Sequence, residues 1–345
     1  MNSPDSSALH GLVNRRYLLA RRPVGAPVRD DFRYVESPVK APAAGQVLVR
    51  ALYLSIDPAM RGWMSEAKSY MPPVALGDVI RAGMAARVVA SQDPAFAPGD
   101  TVTGILGAQD YALATADELT KVDPVAVPLP VRLSALGVPG MTAYFGLLDL
   151  ARIREGDRVL ISGAAGAVGT IAGQIAKLKG CKVIGIAGGP DKCRMIVEEL
   201  GFDGAIDYKA EDVTSAIRHF FRRGLHVYFD NVGGPILDAA LANLAVGARV
   251  VLCGAISQYN ATGGMYGPKN YLSILVNRAT VRGLLVFDYL ARYAEAEADI
   301  TAWIAQGKIK PRFDIAEGFE HFPEVLARLF LGHNVGKLIL RVAPE

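Results

Sequence analysis

Hydrophobic positions change their period along the chain. From Tyr17 to about Leu129, short apolar or alternating runs such as QVLVRALYLSI and ARVVAS are separated by turn signals such as PAFAPGD, in a stretch rich in Gly and Pro. Period-two alternation between breakers predicts an irregular, mostly β module. Near residue 135 the period lengthens, and GVPGMTAYFGLLDLARI spaces its apolar residues as a helix does. A repeated strand–helix order then takes over. DRVLISG (157–163) reads as a strand, AGAVGTIAGQIAKLKG as a helix, CKVIGIAG as a strand, and PDKCRMIVEELG as a helix with Pro190 in its first turn. GAIDY, LHVYFDNVG, ARVVLCGAIS and TVRGLLVF continue the strands, with helices over EDVTSAIRHFFRRG and PILDAALANLAVG between them. This alternation predicts an α/β fold with a doubly wound parallel sheet and right-handed crossovers. Beyond Trp303, KIKPRFDIAEGFEHF and GKLILRV predict a short helix and strands returning to the first module. The expected divisions are therefore 1–134, 135–302 and 303–345, with residues 1 to about 12 read as a frayed polar tail.

Composition narrows the classes. The 345 residues are 51% hydrophobic and 21% charged, enough apolar chain for two cores, and the net charge is +3. Basic residues are scattered, which argues against a nucleic-acid partner. Arg15, Arg16, Arg21 and Arg22 are followed by no apolar run of export-signal length, and no stretch has the roughly 18–20 apolar residues of a membrane span. Cys181, Cys193 and Cys253 form an odd set without CxxC spacing, which fits a reducing, cytoplasmic setting.

The chemistry begins in ISGAAGAVGTIAGQ. Gly163, Gly166 and Gly169 lie between a β-branched strand and an amphipathic helix, inside a βαβ unit. Gly166 lets backbone approach a pyrophosphate, Gly169 lets the helix pack on the strand, and the amides of Ala167, Val168 and Gly169 open the helix toward the phosphates. Ala164 stands where the usual pattern has its first glycine, and a ligand-free tight turn is the competing reading. Cofactor choice is read where an acid about 20 residues on would hold the ribose 2′-hydroxyl of NAD. Ala187, Gly188 and Gly189 carry no carboxylate there, and Lys192 and Arg194 follow, which favours the 2′-phosphate of NADP. Asp191 either caps the next helix or faces the ribose.

GAAGAVG, KLKGCKVIGIAGG, FDNVGG, CGAISQYN and GHNVGK together resemble the zinc-independent medium-chain dehydrogenases/reductases. The subgroup they resemble contains the prostaglandin reductases, leukotriene B4 12-hydroxydehydrogenases and curcumin reductases, and the resemblance runs from about Asn14 to Val342. It implies a mostly-β GroES-like catalytic domain joined to the Rossmann sheet, NADPH as cofactor, and a possible homodimer. By the same resemblance Lys192 and Tyr208 hold the 2′-phosphate and adenosine side, and Asn231 lines the cofactor groove. Cys253, Ala255 and Tyr259 pass along the nicotinamide half, Met141 and Thr142 lie near the nicotinamide, and Phe287 and Asn334 are further cofactor contacts. The loop after Tyr259, NATGGMYGPKN, is shorter and less proline-rich than in relatives.

Zinc-dependent relatives need Cys and His ligands in the first module, yet no cysteine precedes Cys181, and His10, His219, His226, His321 and His333 are scattered. No metal is expected. No G-x-S-x-G elbow marks a hydrolase either. Tyr53, Tyr70, Tyr111, Met60, Trp63, Met64 and Met71 are core residues or an apolar wall for a substrate; Tyr70 is the substrate candidate, and the sequence leaves the role of Arg61 open. The expected reaction is reduction of the carbon–carbon double bond of a small hydrophobic enone, with Tyr259 either donating to the developing oxyanion or only packing on the cofactor. Quinone reduction, alcohol oxidation and non-catalytic NADPH binding are the rivals.

Overall fold

A computed structural model describes residues 9–345. Fifteen strands are present among them: β1 (Val13–Leu19), β2 (Phe32–Pro38), β3 (Gln46–Ser55), β4 (Gly83–Ser91), β5 (Thr101–Ile105), β6 (Tyr111–Thr115), β7 (Thr120–Val122), β8 (Arg158–Ser162), β9 (Lys182–Ala187), β10 (Gly204–Asp207), β11 (Leu225–Asp230), β12 (Leu244–Leu252), β13 (Thr280–Gly283), β14 (Phe313–Glu317) and β15 (Lys337–Arg341). The chain divides into two units. One holds the chain up to Leu133 with Asp314–His333 and Leu338–Glu345; the other holds Ser134–Phe313 and Asn334–Lys337.

The first unit is built on a seven-stranded sheet ordered β14-β15-β3-β4-β5-β7, with β6 also on β3, and a separate β1–β2 hairpin. The alternating run of β3 buries Val47, Val49, Ala51 and Leu54 in a core shared with Met60, Trp63, Met64, Phe319 and Phe322. Tyr53 and Tyr111 are buried as well, and Met71 packs on the core, so most of the proposed apolar wall is interior packing. Tyr70 differs, being 51% exposed. Arg61 is buried and donates to the carbonyls of Gly25 and Pro23, holding a loop and not a carboxylate. Residues 1–8 of the expected tail lie outside the described residues. Its end is no tail: Leu9 is buried with Leu48, Ala90 and Tyr111.

The second unit contains a six-stranded sheet, entirely parallel, ordered β10-β9-β8-β11-β12-β13. Relabelled within the sheet this is 3-2-1-4-5-6, the Rossmann order, whose direction reverses between β8 and β11. Helices Ala167–Leu178, Pro190–Glu198, Val213–Phe220 and Gly234–Leu241 are the crossovers. The helix expected to run through residue 247 stops at Leu241, because Leu244 already pairs with Leu225 in the sheet. At the other end β12 stops at Leu252, releasing Cys253 into a turn.

The expected boundary at 302 is displaced. Residues 303–313 stay with the parallel sheet, and Lys310 exchanges hydrogen bonds with Gln174 of the Ala167–Leu178 helix. Asn334–Lys337 also belongs to this unit, since Gly336 N donates to Ala165 O at 2.8 Å. Among the described residues no helix is long and apolar enough to cross a membrane.

The Ala167–Leu178 helix packs closely enough that a Cβ on Gly173 would lie inside the Phe202 ring. Gly173→Ala is therefore expected to destabilise the protein by about 1–3 kcal/mol through overpacking. An unhindered helix site would instead gain about 1 kcal/mol from the same change. The urea unfolding midpoint reads the sign.

Candidate cofactor site

At the end of β8 the chain must turn sharply into a helix, and Gly163 does so at φ +58°, in the left-handed region. Gly166 is the helix N-cap, with no side chain capping it. Its amide donates to Gly163 O at 2.9 Å, and its carbonyl accepts from Thr170 N at 3.0 Å. The amides of Ala167, Val168 and Gly169 thus open the helix with no carbonyl four residues back to take them. Gly163, Gly166, Ala167 and Val168 are half-buried, leaving this rim accessible, while Gly169 is buried. A Cβ at Gly169 would overlap the Gly163 carbonyl oxygen, so only glycine lets the helix descend this far onto β8. These features fit a dinucleotide pyrophosphate: an open row of amides at the positive end of a helix, on a turn without side chains to obstruct it.

The carboxylate at the end of β11 organises the other side of the switch point. Asp230 is buried, and its Oδ1 accepts from the Tyr228 hydroxyl at 2.7 Å and from Ser162 Oγ, Val232 N and Gly233 N, each at 2.9 Å. Its main-chain oxygen accepts from Cys253 N and Gly254 N. Asn231 completes the junction, its amide nitrogen donating to Ser162 Oγ and its side chain to Ser162 O. One residue thereby sets the 231–233 turn against β8 and the 253–255 turn against both. Burial and the neighbouring Asp230 keep the Tyr228 hydroxyl protonated far above the usual phenol range. Tyr259 closes the second turn, its hydroxyl oxygen accepting from Ala255 N at 3.1 Å.

A third cluster lies at the ends of β9 and β10. Gly189 begins the Pro190–Glu198 helix, which carries Lys192 in its first turn. Asp207 Oδ1 accepts from Gly189 N at 2.8 Å and Lys209 N at 3.0 Å. The Tyr208 ring covers Gly188, with Cε1 only 2.7 Å from where a Cβ would stand.

Comparison with known proteins places this geometry. A family model described as the N-terminal domain of oxidoreductase matches residues 15–122, and one described as zinc-binding dehydrogenase matches residues 167–303. The chain is 42% identical over 337 residues to the NADPH-dependent curcumin reductase of Escherichia coli (strain K12), covering 96% of this chain and 98% of that protein. It is 38% identical over 338 residues to the 2-alkenal reductase (NADP(+)-dependent) of Nicotiana tabacum, with 96% and 98% covered. The crystal structure of CurA in complex with NADPH from Vibrio vulnificus superposes with a TM-score of 0.92 at 42% identity, over 96% of this chain and 100% of that one.

The chain belongs to the zinc-independent medium-chain dehydrogenases/reductases.

Among the described residues no group of three or more His, Cys, Asp or Glu side chains could hold a metal ion. The fold brings the sequence candidates together unevenly. Gly163, Gly166, Ala167, Val168 and Gly169 form the first turn, Asn231, Cys253, Ala255 and Tyr259 the second group, and Lys192 and Tyr208 the third. Asn334 is buried, with its side chain donating to Gly336 O, and Gly336 in turn bonds the glycine turn at Ala165. Met141 and Thr142 are buried in the Val138–Phe145 helix, and the Thr142 hydroxyl donates back to Val138 O. Phe287 is half-buried in the Val286–Arg292 turn. Tyr70 belongs to the other unit.

Sequence reasoning passed over Asp230, Ser162 and Asp207. The signal for Asp230 was available: an acid ending an otherwise apolar strand, VYFD, must find donors once the strand is central.

Burial pushes the Cys253 thiol up to about 12, helped by Asp230, and the Cys193 thiol up to about 11, helped by Asp207 and Glu211. Cys181 rises to about 11 for the same first reason, with Asp157 adding to it. A raised pKa means less thiolate at a given pH; for a group near 11 it is about one molecule in a thousand at pH 8. All three cysteines are expected to resist a disulfide reagent at pH 8 in the native protein, and to react fully once guanidinium unfolds it. Rapid native reaction of Cys253 would show that this turn is open.

Proposed function

We propose that the protein reduces the carbon–carbon double bond of α,β-unsaturated ketones and aldehydes, using NADPH. The observation that carries this is the turn after β9. In a Rossmann sheet this turn meets the adenosine ribose, and here Ala187, Gly188 and Gly189 present no carboxylate while Lys192 supplies a cation. Asp207, the nearest acid at the end of the next strand, has its Oδ1 committed to two main-chain amides. The names of the relatives, an NADPH-dependent curcumin reductase and an NADP(+)-dependent 2-alkenal reductase, agree with that cofactor and reaction class.

When bound, the reduced nicotinamide supplies a hydride to the β-carbon of the enone. The chain's residues hold the reactants and handle the charge. The amides of Ala167, Val168 and Gly169 bind the pyrophosphate, and Lys192 with Tyr208 receives the 2′-phosphate and adenosine side. Asn231, Cys253 and Ala255 line the groove beyond, with Met141, Thr142, Phe287 and Asn334 as further contacts. Negative charge gathers on the substrate carbonyl oxygen, and the Tyr259 hydroxyl donates to that oxygen and protonates it; the resulting enol ketonises as its oxygen loses a proton and its α-carbon takes one from water, and solvent reprotonates Tyr259. The Ala255 amide already points at the Tyr259 oxygen, which stabilises charge there as the proton leaves. Tyr70, exposed and aromatic, is retained as the substrate-contact candidate.

Three cysteines without a disulfide and no membrane-crossing helix among the described residues suit a cytoplasmic enzyme acting on small hydrophobic molecules. The enzyme is also proposed to be a homodimer. Among the described residues β13 is an edge strand paired on one side only, and Tyr271, Leu272, Leu275 and Val276, shortly before it in the chain, are 57–74% exposed. A second copy covers such a face by two-fold self-pairing.

Steady-state assays of an enone, a quinone and a secondary alcohol, each with both nucleotides, test the reaction. Enone-dependent oxidation of NADPH is expected to dominate, and activity confined to the quinone or the alcohol would overturn the assignment. In the same assay Tyr259→Phe is expected to lower kcat roughly 100-fold while NADPH affinity stays unchanged. Full turnover in that variant would reduce Tyr259 to packing. Light scattering after size exclusion should give a dimer for the wild type and a monomer for Leu275→Glu; a monomeric wild type would remove the interface.

A further inference from the structure

Lys209 follows Tyr208 just beyond β10, and its ammonium has no hydrogen bond or ion pair among the described residues. Lys209 is exposed, but its stem is not turned away from the neighbouring loop. Lys209 Cε lies 3.0 Å from where a Cβ on Gly188 would stand, beside the Tyr208 ring, which carries the stem over the turn between β9 and the Pro190–Glu198 helix. Any side chain at position 188 would take that space.

The acids nearby have other work. Asp207 Oδ1 accepts from Gly189 N and Lys209 N, so one oxygen ties the start of the helix bearing Lys192 to the residue bearing the second cation. Glu211 accepts from Asp207 N at 2.8 Å, and Asp191 pairs with Arg194 at 3.3 Å. These commitments leave Lys209 as a cation with no acid to satisfy it, held over a gap that only glycine provides.

We propose that Lys209 is a specificity-determining residue for the phosphorylated nucleotide, a second cation that meets the 2′-phosphate across Gly188 from Lys192. A phosphate monoester carries close to two negative charges at neutral pH and accepts through three oxygens, so one lysine does not exhaust it. Asp207 is the positioning residue that keeps the two loops in register. Lys209 in this role presupposes NADPH as the cofactor.

The test is equilibrium binding to the purified full-length chain, read by isothermal titration with NADPH and NADH separately, with thermal unfolding of the nucleotide-free proteins alongside. Lys209→Gln keeps the stem and removes the charge. It is expected to weaken NADPH binding roughly tenfold, about the size of one charge-assisted hydrogen bond, with NADH affinity and the melting temperature unchanged. Lys209→Arg should restore the preference. Unchanged NADPH affinity in Lys209→Gln, or an equal loss with NADH, would overturn the role of Lys209. Lys192→Gln separates the two levels of inference: if it abolishes the preference and Lys209→Gln does not, only Lys209 falls. If the wild type itself does not prefer NADPH, the cofactor assignment falls and takes Lys209 with it.

Discussion

The helix after β8 can descend onto its strand only because position 169 has no side chain. That close approach aims the first helical turn at the switch point, with the amides of Ala167, Val168 and Gly169 unclaimed by the helix itself. It also accounts for the small residues beneath: a Cβ on Gly185 would press on Ala164 and Ile196, and Gly173 accommodates the Phe202 ring. A run of small residues that weakens a helix by intrinsic propensity is here what permits its packing. The loss in propensity is local, and the gain is the position of the whole element.

Polar groups divide according to whether they build the site or face it. Asp230 is a buried carboxylate balanced by hydrogen-bond donors and not by a cation, four of them converging on Oδ1. Directional donors fix the turns they come from, which a mobile ammonium would do poorly. Asp207 behaves the same way at the next strand end, and Asp238 does so for the following loop, accepting from Asn270 N and the Tyr266 hydroxyl. Asp230 and Asp207 do this at strand ends, and Asp238 does it from within the Gly234–Leu241 helix. The side chains proposed to meet a ligand are cations, amides and aromatic hydroxyls, a set suited to an anionic dinucleotide and to an oxyanion.

The strand ends, the glycine spacing and the alternation of β-branched and helical stretches are local properties, each settled within about 15 residues. That is why the parallel sheet, the glycine turn and the missing acid after β9 were legible in the linear chain. The limits of the elements were less so. The helix expected through residue 247 and the strand that ends at Leu252 show pairing overriding pattern, since Leu244 gains a sheet partner that propensity does not know about.

Sequence alone determined the strand–helix alternation of a doubly wound parallel sheet, the likeness to a zinc-independent reductase family, the glycine turn and the phosphorylated nucleotide as the cofactor to expect. Tertiary structure decided what surrounds them: that Asp230 gathers donors from β8, from its own strand and from the turn that follows, that Gly336 bonds Ala165 from 171 positions away, and that Lys209 lies over Gly188. It also sorted Tyr53, Tyr111 and Trp63 into a core while leaving Tyr70 exposed. The physical reason is range. Backbone turns and periodicity are written in neighbouring residues, whereas hydrogen-bond partners and steric gaps depend on atoms that only the folded chain brings within 3 Å of one another.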